Sequence, residues 1–300
     1  MSPTCDVCAL GCVCWDLVGT VADYPELDEK APLGEFTQQG GGRAGTAAAA
    51  VAALGGAAAV FGHIADDEFG RYILGEFDEL GVGRDGLAIH AGHSSQFAFC
   101  VSHPASGQRT IFYKHESMPR MRAADTDLQA LTDCRCLLID THHPDAALAA
   151  ARVARDKGLP VVLDAERPGP DLAEFFAASD YLIVPASLVQ ALGDSDEALG
   201  RESILQHKPA ALVITRGADG ADMYRGNELL HQPVFAVPQV IDTTGAGDVF
   251  HGAFAYMLAL GHDAPRCLAY AAASAALSTT ALGGRGYLPS MEQVDALITT

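Results

Sequence analysis

The stretch Asp242-Thr243-Thr244-Gly245-Ala246-Gly247-Asp248 decides the reading of this chain. It sets two glycines and an alanine in a tight turn with a carboxylate directly behind, and an apolar, helix-forming run follows over residues 249–260. Backbone N–H groups at the start of a helix have no intrahelical acceptor, and with the helix dipole they form a site for an anion. Small residues leave that backbone open to approach. An aspartate so close to a bound phosphate is a poor binder, because like charges repel. It is well suited to take a proton from a hydroxyl that attacks phosphorus. The pattern therefore points to phosphoryl transfer, against the competing reading of an ordinary loop with Asp248 as a helix cap.

The same seven residues resemble the C-terminal signature of the PfkB (ribokinase-like) sugar kinases. The resemblance implies that Asp248 is the catalytic base and that the amides of Gly245, Ala246 and Gly247 form the anion hole for the transferred phosphoryl group. Gly40-Gly41-Gly42-Arg43-Ala44-Gly45-Thr46, leading into an alanine-rich helix over 47–54, resembles the loop that holds sugar hydroxyls. It implies substrate contacts from Gly41, Gly42, Arg43 and Thr46, the last standing where the family usually has asparagine. The spacing of Gly40, Gly42 and Gly45 also fits a dinucleotide loop, but residues 35–39 read as a weak polar segment rather than the buried strand such a loop follows. Asp16, read as the end of the first strand, matches a sugar-binding aspartate.

Other landmarks follow the family order from about Cys5 to Pro289. The segment from Gly62 through Asp67 to Gly70 is similar to its Gly-x-x-x-x-Asp-x-x-Gly stretch. Thr215-Arg216-Gly217-Ala218-Asp219-Gly220 follows an apolar strand and resembles the nucleotide-side loop, which implies Thr215, Gly217 and Gly220 around ATP. Gly283-Gly284-Arg285-Gly286 resembles the loop bordering adenine, which implies Gly284 beside the nucleotide with Gly245 and Gly247. Asp242 and Thr244 match positions that help to bind a monovalent cation, K+, in some members. One departure stands out. The Asn-x-x-Glu motif that helps to place Mg2+ is replaced by Val184-Pro185-Ala186-Ser187, so Mg2+ would be held through phosphates and water.

Strand candidates at 7–14, 136–140, 161–164, 181–184 and 211–215 alternate with helical segments at 145–157, 171–178 and 195–206, the rhythm of an α/β fold with a doubly wound, mostly parallel sheet. The resemblance narrows this to a ribokinase-like three-layer α/β/α sandwich, a single domain over residues 1–300. Residues 16–40 and 94–115 interrupt the rhythm, with two strands expected around 104–107. In the family such segments form a small β-sheet lid that excludes water and pairs subunits, which implies a homodimer through the lid. As plain chain they are a surface loop and a hairpin.

The formal charge of −19 argues against nucleic acid or an anionic membrane as partner. The sequence carries no run of 18 or more apolar residues and no basic segment ahead of an apolar one, so a soluble, cytoplasmic protein is expected. Cys5, Cys8, Cys12 and Cys14 crowd together, but their spacing is that of neither a zinc ribbon nor an iron–sulfur run, and they read as free, structural thiols. His142-His143, after a strand end, is the one histidine pair placed where α/β proteins bind ligands.

The expected partners are ATP and a small-molecule sugar. Lys30, Arg43, His142, Arg167 and the strand from Arg109 would bring positive charge to a pocket for a ketose or an acidic sugar, such as a sugar acid or sulfosugar; as solvated surface charges they would do nothing of the kind. The stretch 242–252, with Phe250-His251, and the final glycine loop look most like sulfofructose kinases, followed by the ketohexokinase and ribokinase branches. The resemblance thus implies an ATP-dependent kinase that phosphorylates a sugar hydroxyl with Mg2+ and, in some members, K+. Two alternatives stand beside it. A nucleoside kinase needs an aromatic sandwich, for which Trp15, Tyr24, Phe97 and Tyr113 show no pattern, and a catalytically silent sugar or nucleotide sensor would explain the missing magnesium motif.

Overall fold

Runs such as Cys-Leu-Leu-Ile-Asp and Ala-Leu-Val-Ile-Thr are apolar on both faces, which suits strands covered by helices on both sides. In the computed structural model, which describes residues 4–105, 107–114 and 118–299, they do form such strands. In chain order the strands are β1 (Cys5–Leu10), β2 (Cys14–Thr20), β3 (Phe36–Gly41), β4 (Ala58–Ala65), β5 (Gly83–His90), β6 (Phe97–His103), β7 (Gln108–Lys114), β8 (Cys134–Asp140), β9 (Val161–Asp164), β10 (Tyr181–Pro185), β11 (Ala211–Thr215), β12 (Ala221–Arg225) and β13 (Glu228–Gln232). The helices are α1 (Arg43–Ala53), α2 (Glu68–Leu80), α3 (Leu128–Leu131), α4 (Pro144–Asp156), α5 (Leu172–Ala178), α6 (Ala186–Leu192), α7 (Glu197–Leu205), α8 (Ala246–Ala259), α9 (Ala264–Ser278) and α10 (Met291–Ile298).

The large sheet runs β13-β12-β11-β10-β9-β8-β1-β4-β5. It is parallel from β11 to β5, with β12 and β13 added antiparallel at one edge. Its two faces carry separate cores. Val7, Ala9, Cys136 and Leu138 pack on one side against α1, α2, α8, α9 and α10, while Cys8, Leu10, Leu137 and Ile139 pack on the other against α3 to α7. Cys8 and Cys136 are thus small core hydrophobes, and all eight cysteines are free thiols. Among the described residues no helix is long and apolar enough to cross a membrane.

Chain order reverses at β1, which lies between β4 and β8, so the crevice opens beyond the carboxyl ends of β1 and β8. Here the structure corrects the sequence reading. The expected first strand at 7–14 is broken at Gly11 to Val13, because the Cys12 N–H turns to donate to the Asp140 carboxylate (2.7 Å). Asp16 is therefore not at the end of the first strand but on β2 of a second sheet, ordered β3-β2-β6-β7. The polar segment at 35–39 is also a strand, β3, whose outer end is exposed and whose Gly40 and Gly41 are buried. It pairs antiparallel with β2 rather than entering the large sheet, which removes the dinucleotide-loop geometry.

The small sheet covers the expected lid segments. β6 and β7 form the expected hairpin, and β2 pairs parallel with β6. Positions 106 and 115, inside the expected turn and segment end, lie outside the described residues, as do 1–3 and 300 of the expected domain.

Candidate active site

The 242–248 stretch enters α8 through Gly245, whose φ of 71° is left-handed and whose Cβ, were there one, would lie 2.5 Å from the Gly284 Cα. Only glycine fits both demands. Ala246 and Gly247 then open the helix, Gly247 exposed and Asp248 partly so, leaving the first-turn amides facing the crevice. Asp242 organises the turn from below. It is 2% exposed; its Oδ1 accepts from the Thr244 N–H (3.0 Å) and hydroxyl (2.8 Å), and its Oδ2 accepts from the Gly283 N–H (2.9 Å). The three donors are all neutral. Asp242 and Gly284 thus tie the loop at 283–285 to the turn that opens α8.

That same loop reaches the opposite wall through Arg285. Its N–H donates to Gln39 Oε1 (2.7 Å), Nη2 to the Gly41 carbonyl (3.1 Å) and Nε to the Thr46 hydroxyl (3.3 Å), while Nη1 pairs with Glu76 and the guanidinium lies 5.0 Å from the Phe77 ring centre. Glu76 in turn accepts the Gly40 N–H (2.9 Å). Thr46, 1% exposed, therefore supports the glycine loop from behind rather than facing the crevice. Gly41 packs so close to Asp16 that a Cβ would fall 2.1 Å from the carboxylate oxygen. Gly42 caps α1 with φ 82°, and Arg43 begins the helix.

Four carboxylates gather around Arg43, and a fifth, Asp16, joins them beside Asp248 and faces Arg285. Asp140 and Asp164 end β8 and β9, Glu166 follows β9, Asp16 comes from β2 and Asp248 from α8. Burial works against the charge of Arg43, yet Asp140 (3.5 Å from Nε), Asp164 and Glu166 outweigh it and raise its pKa. Burial likewise disfavours the Asp140 carboxylate, but Arg43, His142 and two backbone N–H groups hold it below the usual carboxylate range. Asp248 moves the other way. Burial, then Asp164 and Glu166, push its carboxyl well above the ordinary value, with Arg43 opposing. Burial raises Asp164 to about 6 against the pull of His251 and Arg43, and raises Asp16 as well.

Of the cationic residues singled out in the sequence, Arg43 belongs to this centre, and Arg109 reaches it from the lid by donating to the Thr243 hydroxyl (2.9 Å). His142 stands beside it, its Nε2 3.0 Å from Gln96 Nε2 and its N–H on Asp140. Lys30 and Arg167 are exposed, Lys30 in the segment between β2 and β3. Thr215 ends β11, Gly217 opens the next turn with open space where a Cβ would stand, and Gly220 closes that turn by accepting from the Arg216 N–H (2.8 Å). Among the described residues no group of three His, Cys, Asp or Glu is arranged to hold a metal ion. Sequence reasoning did not single out Asp140, Asp164, Glu166, Glu76 or Gln39. Asp140 and Asp164 carried a usable signal, a carboxylate closing an apolar strand where parallel sheets bind ligands.

The arrangement offers helix-start amides for an anion, a carboxyl of raised proton affinity beside them, and a second carboxylate, Asp16, across the crevice. A model of the pfkB family carbohydrate kinases matches residues 5–291. The chain is 28% identical over 297 residues to the ATP-dependent ribose-1-phosphate kinase of Halopiger xanaduensis, covering 98% of each, and 24% identical over 275 residues to mouse ketohexokinase, covering 88% of this chain and 92% of that one. It superposes on the structure of Arabidopsis thaliana ribokinase complexed with ribose and ATP with a TM-score of 0.84 at 22% identity, all of both chains covered.

Proposed function

Because the chain belongs to the pfkB family of carbohydrate kinases, we propose that it transfers the γ-phosphate of ATP to a hydroxyl of a ketose or acidic sugar, with Asp248 as general base. The observation that carries this is the Asp248 carboxyl, held at raised proton affinity in the first turn of α8 directly behind the Gly245-Ala246-Gly247 amides. A carboxylate poised above its ordinary range is a stronger acceptor for a hydroxyl proton. The amides of Gly245 to Gly247, fixed before any charge develops, stabilise the oxygens of the transferring group. Mg2+ carried with ATP neutralises phosphate charge, and since among the described residues no group of three His, Cys, Asp or Glu is arranged to hold it, it is bound through phosphates and water.

Asp16, on β2, accepts hydrogen bonds from sugar hydroxyls, with the backbone of Gly41 close against it and Gly42 next along the loop. Arg43 and Arg109 favour a substrate bearing a negative group. Thr215 and Gly217 border the nucleotide. Gly220 and the buried Gly284 shape its loops from behind. Asp242, buried and met only by neutral donors, suits a K+ ion beside Thr244. Residues 1–300 act as one cytoplasmic domain, dimeric through lid strands that leave Phe36, Ile111 and Phe112 exposed.

The test is ADP release with Mg2+ and K+ against ribose, fructose, tagatose, 2-keto-3-deoxygluconate, sulfofructose and adenosine. Turnover on one sugar that Asp248→Asn abolishes is the expected result. A flat panel beside measurable ATP binding refutes the kinase reading in favour of a sensor.

A further inference from the structure

His251 lies one turn into α8, three residues beyond Asp248, and is 5% exposed. Its ring nitrogens face acceptors on both sides. Nδ1 is 2.6 Å from the Gly247 carbonyl and 3.5 Å from Asp164 Oδ2, and Nε2 is 3.1 Å from the Ile183 carbonyl on β10. A neutral imidazole has one N–H and one lone pair, so in this cage its lone pair would point at a carbonyl oxygen. Only the imidazolium donates in both directions, and Asp164, 2% exposed at the end of β9, supplies its counter-charge. His143 shows the contrast. Its Nδ1 accepts the Met121 N–H (3.1 Å), and burial with His142 beside it pushes it down to about 3, as befits a neutral ring.

We propose that His251 is a positioning residue held as an imidazolium: it clamps the first turn of α8 to β9 and β10 and, by balancing Asp164, sets the proton affinity of Asp248. The role for Asp248 rests on the kinase reading; the charge state of the ring does not.

The groups facing the pair are Asp164 and Glu166 from β9 and the turn after it, Asp140 from β8, Arg43 from α1, Asp16 from β2 and Asp248 from α8 itself. Arg43 is the cation on the side of α1, and His251 is the cation on the side of α8. With His251 neutral, Asp164 keeps Arg43 as its only cationic partner. The carboxyl cluster then binds protons more tightly, and Asp248 is blocked over a wider pH range. His251 also holds the Gly247 carbonyl one turn earlier in the helix, which fixes the orientation of the Gly247–Asp248 peptide.

Two measurements decide this. In long-range proton–nitrogen spectra of labelled protein at pH 7.5, the His251 signals, identified by their absence in His251→Asn, are expected to show two protonated ring nitrogens. A lone-pair nitrogen there overturns the proposal. In the pH dependence of turnover on MgATP and the best sugar of the panel, His251→Asn is expected to lose about tenfold more rate than the parent between pH 8 and pH 6. The double variant Asp164→Asn/His251→Asn, which removes the pair as a unit, should return the pH dependence toward the parent's. A loss that is uniform with pH, or one that the double variant does not correct, reduces His251 to packing and overturns the assigned role. Should the parent turn over no sugar, the kinase reading falls, while the nitrogen spectrum still decides the charge state.

Discussion

Arg285 and Glu76 form the pair on which the geometry of the glycine loop at 40–42 depends, and the structure orders the cost of removing each. The Arg285 side chain is 2% exposed and that of Glu76 19%. Glu76→Gln leaves a guanidinium charge inside the protein with the Gly41 carbonyl, the Thr46 hydroxyl and the Phe77 ring as direct partners and the more distant field of Asp16, a loss of about 3 kcal/mol. Arg285→Met leaves a carboxylate with some access to water, and forfeits the ring contact and two hydrogen bonds, for about 2–3 kcal/mol. Neither loss exceeds the ~5–15 kcal/mol of an ordinary domain, so both variants should fold. The double variant Glu76→Gln/Arg285→Met leaves no unpaired charge and should be more stable than the two single losses added together, by about 2 kcal/mol. Urea denaturation followed by circular dichroism measures all three. Both single variants should also raise the sugar KM more than the ATP KM, because Gly40 and Gly41 lose their support while Gly245 keeps its own. A coupling within about 0.5 kcal/mol of zero would show that the two side chains do not act as a pair, and the reasoning would be wrong.

Asp248→Asn should lower kcat by about 10²–10⁴-fold with little change in ATP affinity, read by steady-state kinetics and calorimetry. Because burial and neighbouring carboxylates raise the Asp248 carboxyl, parent activity should fall on acidification already above the ordinary carboxylate range, and loss only below pH 4 would contradict that origin. Gly245→Ala must adopt a left-handed φ and push against Gly284, so kcat should drop about 10²–10³-fold through the displaced amides while sugar binding, measured by calorimetry, persists. Folded Asp164 keeps its proton to about pH 6, whereas the unfolded chain releases it near 3.8. Its contribution to stability therefore declines as pH rises through that window, and in denaturation titrations the parent should lose about 2–3 kcal/mol more than Asp164→Asn between pH 4 and pH 7, whatever the variant loses at every pH as the partner of His251. Arg109→Gln, at an exposed lid position, should raise the sugar KM several-fold and leave stability within about 0.5 kcal/mol.

The parts legible in the sequence were those with a local physical cause. The strands at 161–164 and 211–215 match β9 and β11 residue for residue, because a run buried on both faces announces itself. The turn at 242–248 was legible because glycines placed just ahead of a helix-forming run uncover its first amides, which is what an anion needs. What failed was decided by distant partners. Nothing near Gly11 reveals that Asp140, more than a hundred residues later, captures the Cys12 N–H and ends β1. The strand β3 reads as polar because one end lies exposed on the lid, and only its pairing with β2 makes it a strand. Arg285 is written in a glycine-rich loop like any surface arginine. Its burial depends on Glu76 and Gln39 converging from two other elements. β5 is hard to read for a related reason, since a polar edge strand lacks the apolar run that marks central strands, whereas the buried, apolar β4 carried a usable signal.

A chain of formal charge −19 that binds a polyanion poses an electrostatic problem that the site resolves locally. Charges farther than about 8 Å are screened at physiological salt, so the surface excess matters less than the five carboxylates gathered at the crevice. Four of those five face Arg43, with His251 beside Asp164, while Asp16 faces Arg285, and they cannot all ionise without cost. The structure shows where the strain is relieved: Asp140 keeps Arg43 and stays ionised, while Asp164 and Asp248 are driven upward. Burial, together with crowding of like charge that alone would repel phosphate, is therefore also what gives the Asp248 carboxyl the raised proton affinity that the proposed general base needs. Attraction for the nucleotide then has to come from groups that do not titrate. The helix-start amides behind Gly245 meet that need, since their partial charge is fixed by the backbone and leaves the carboxyl beside them unneutralised.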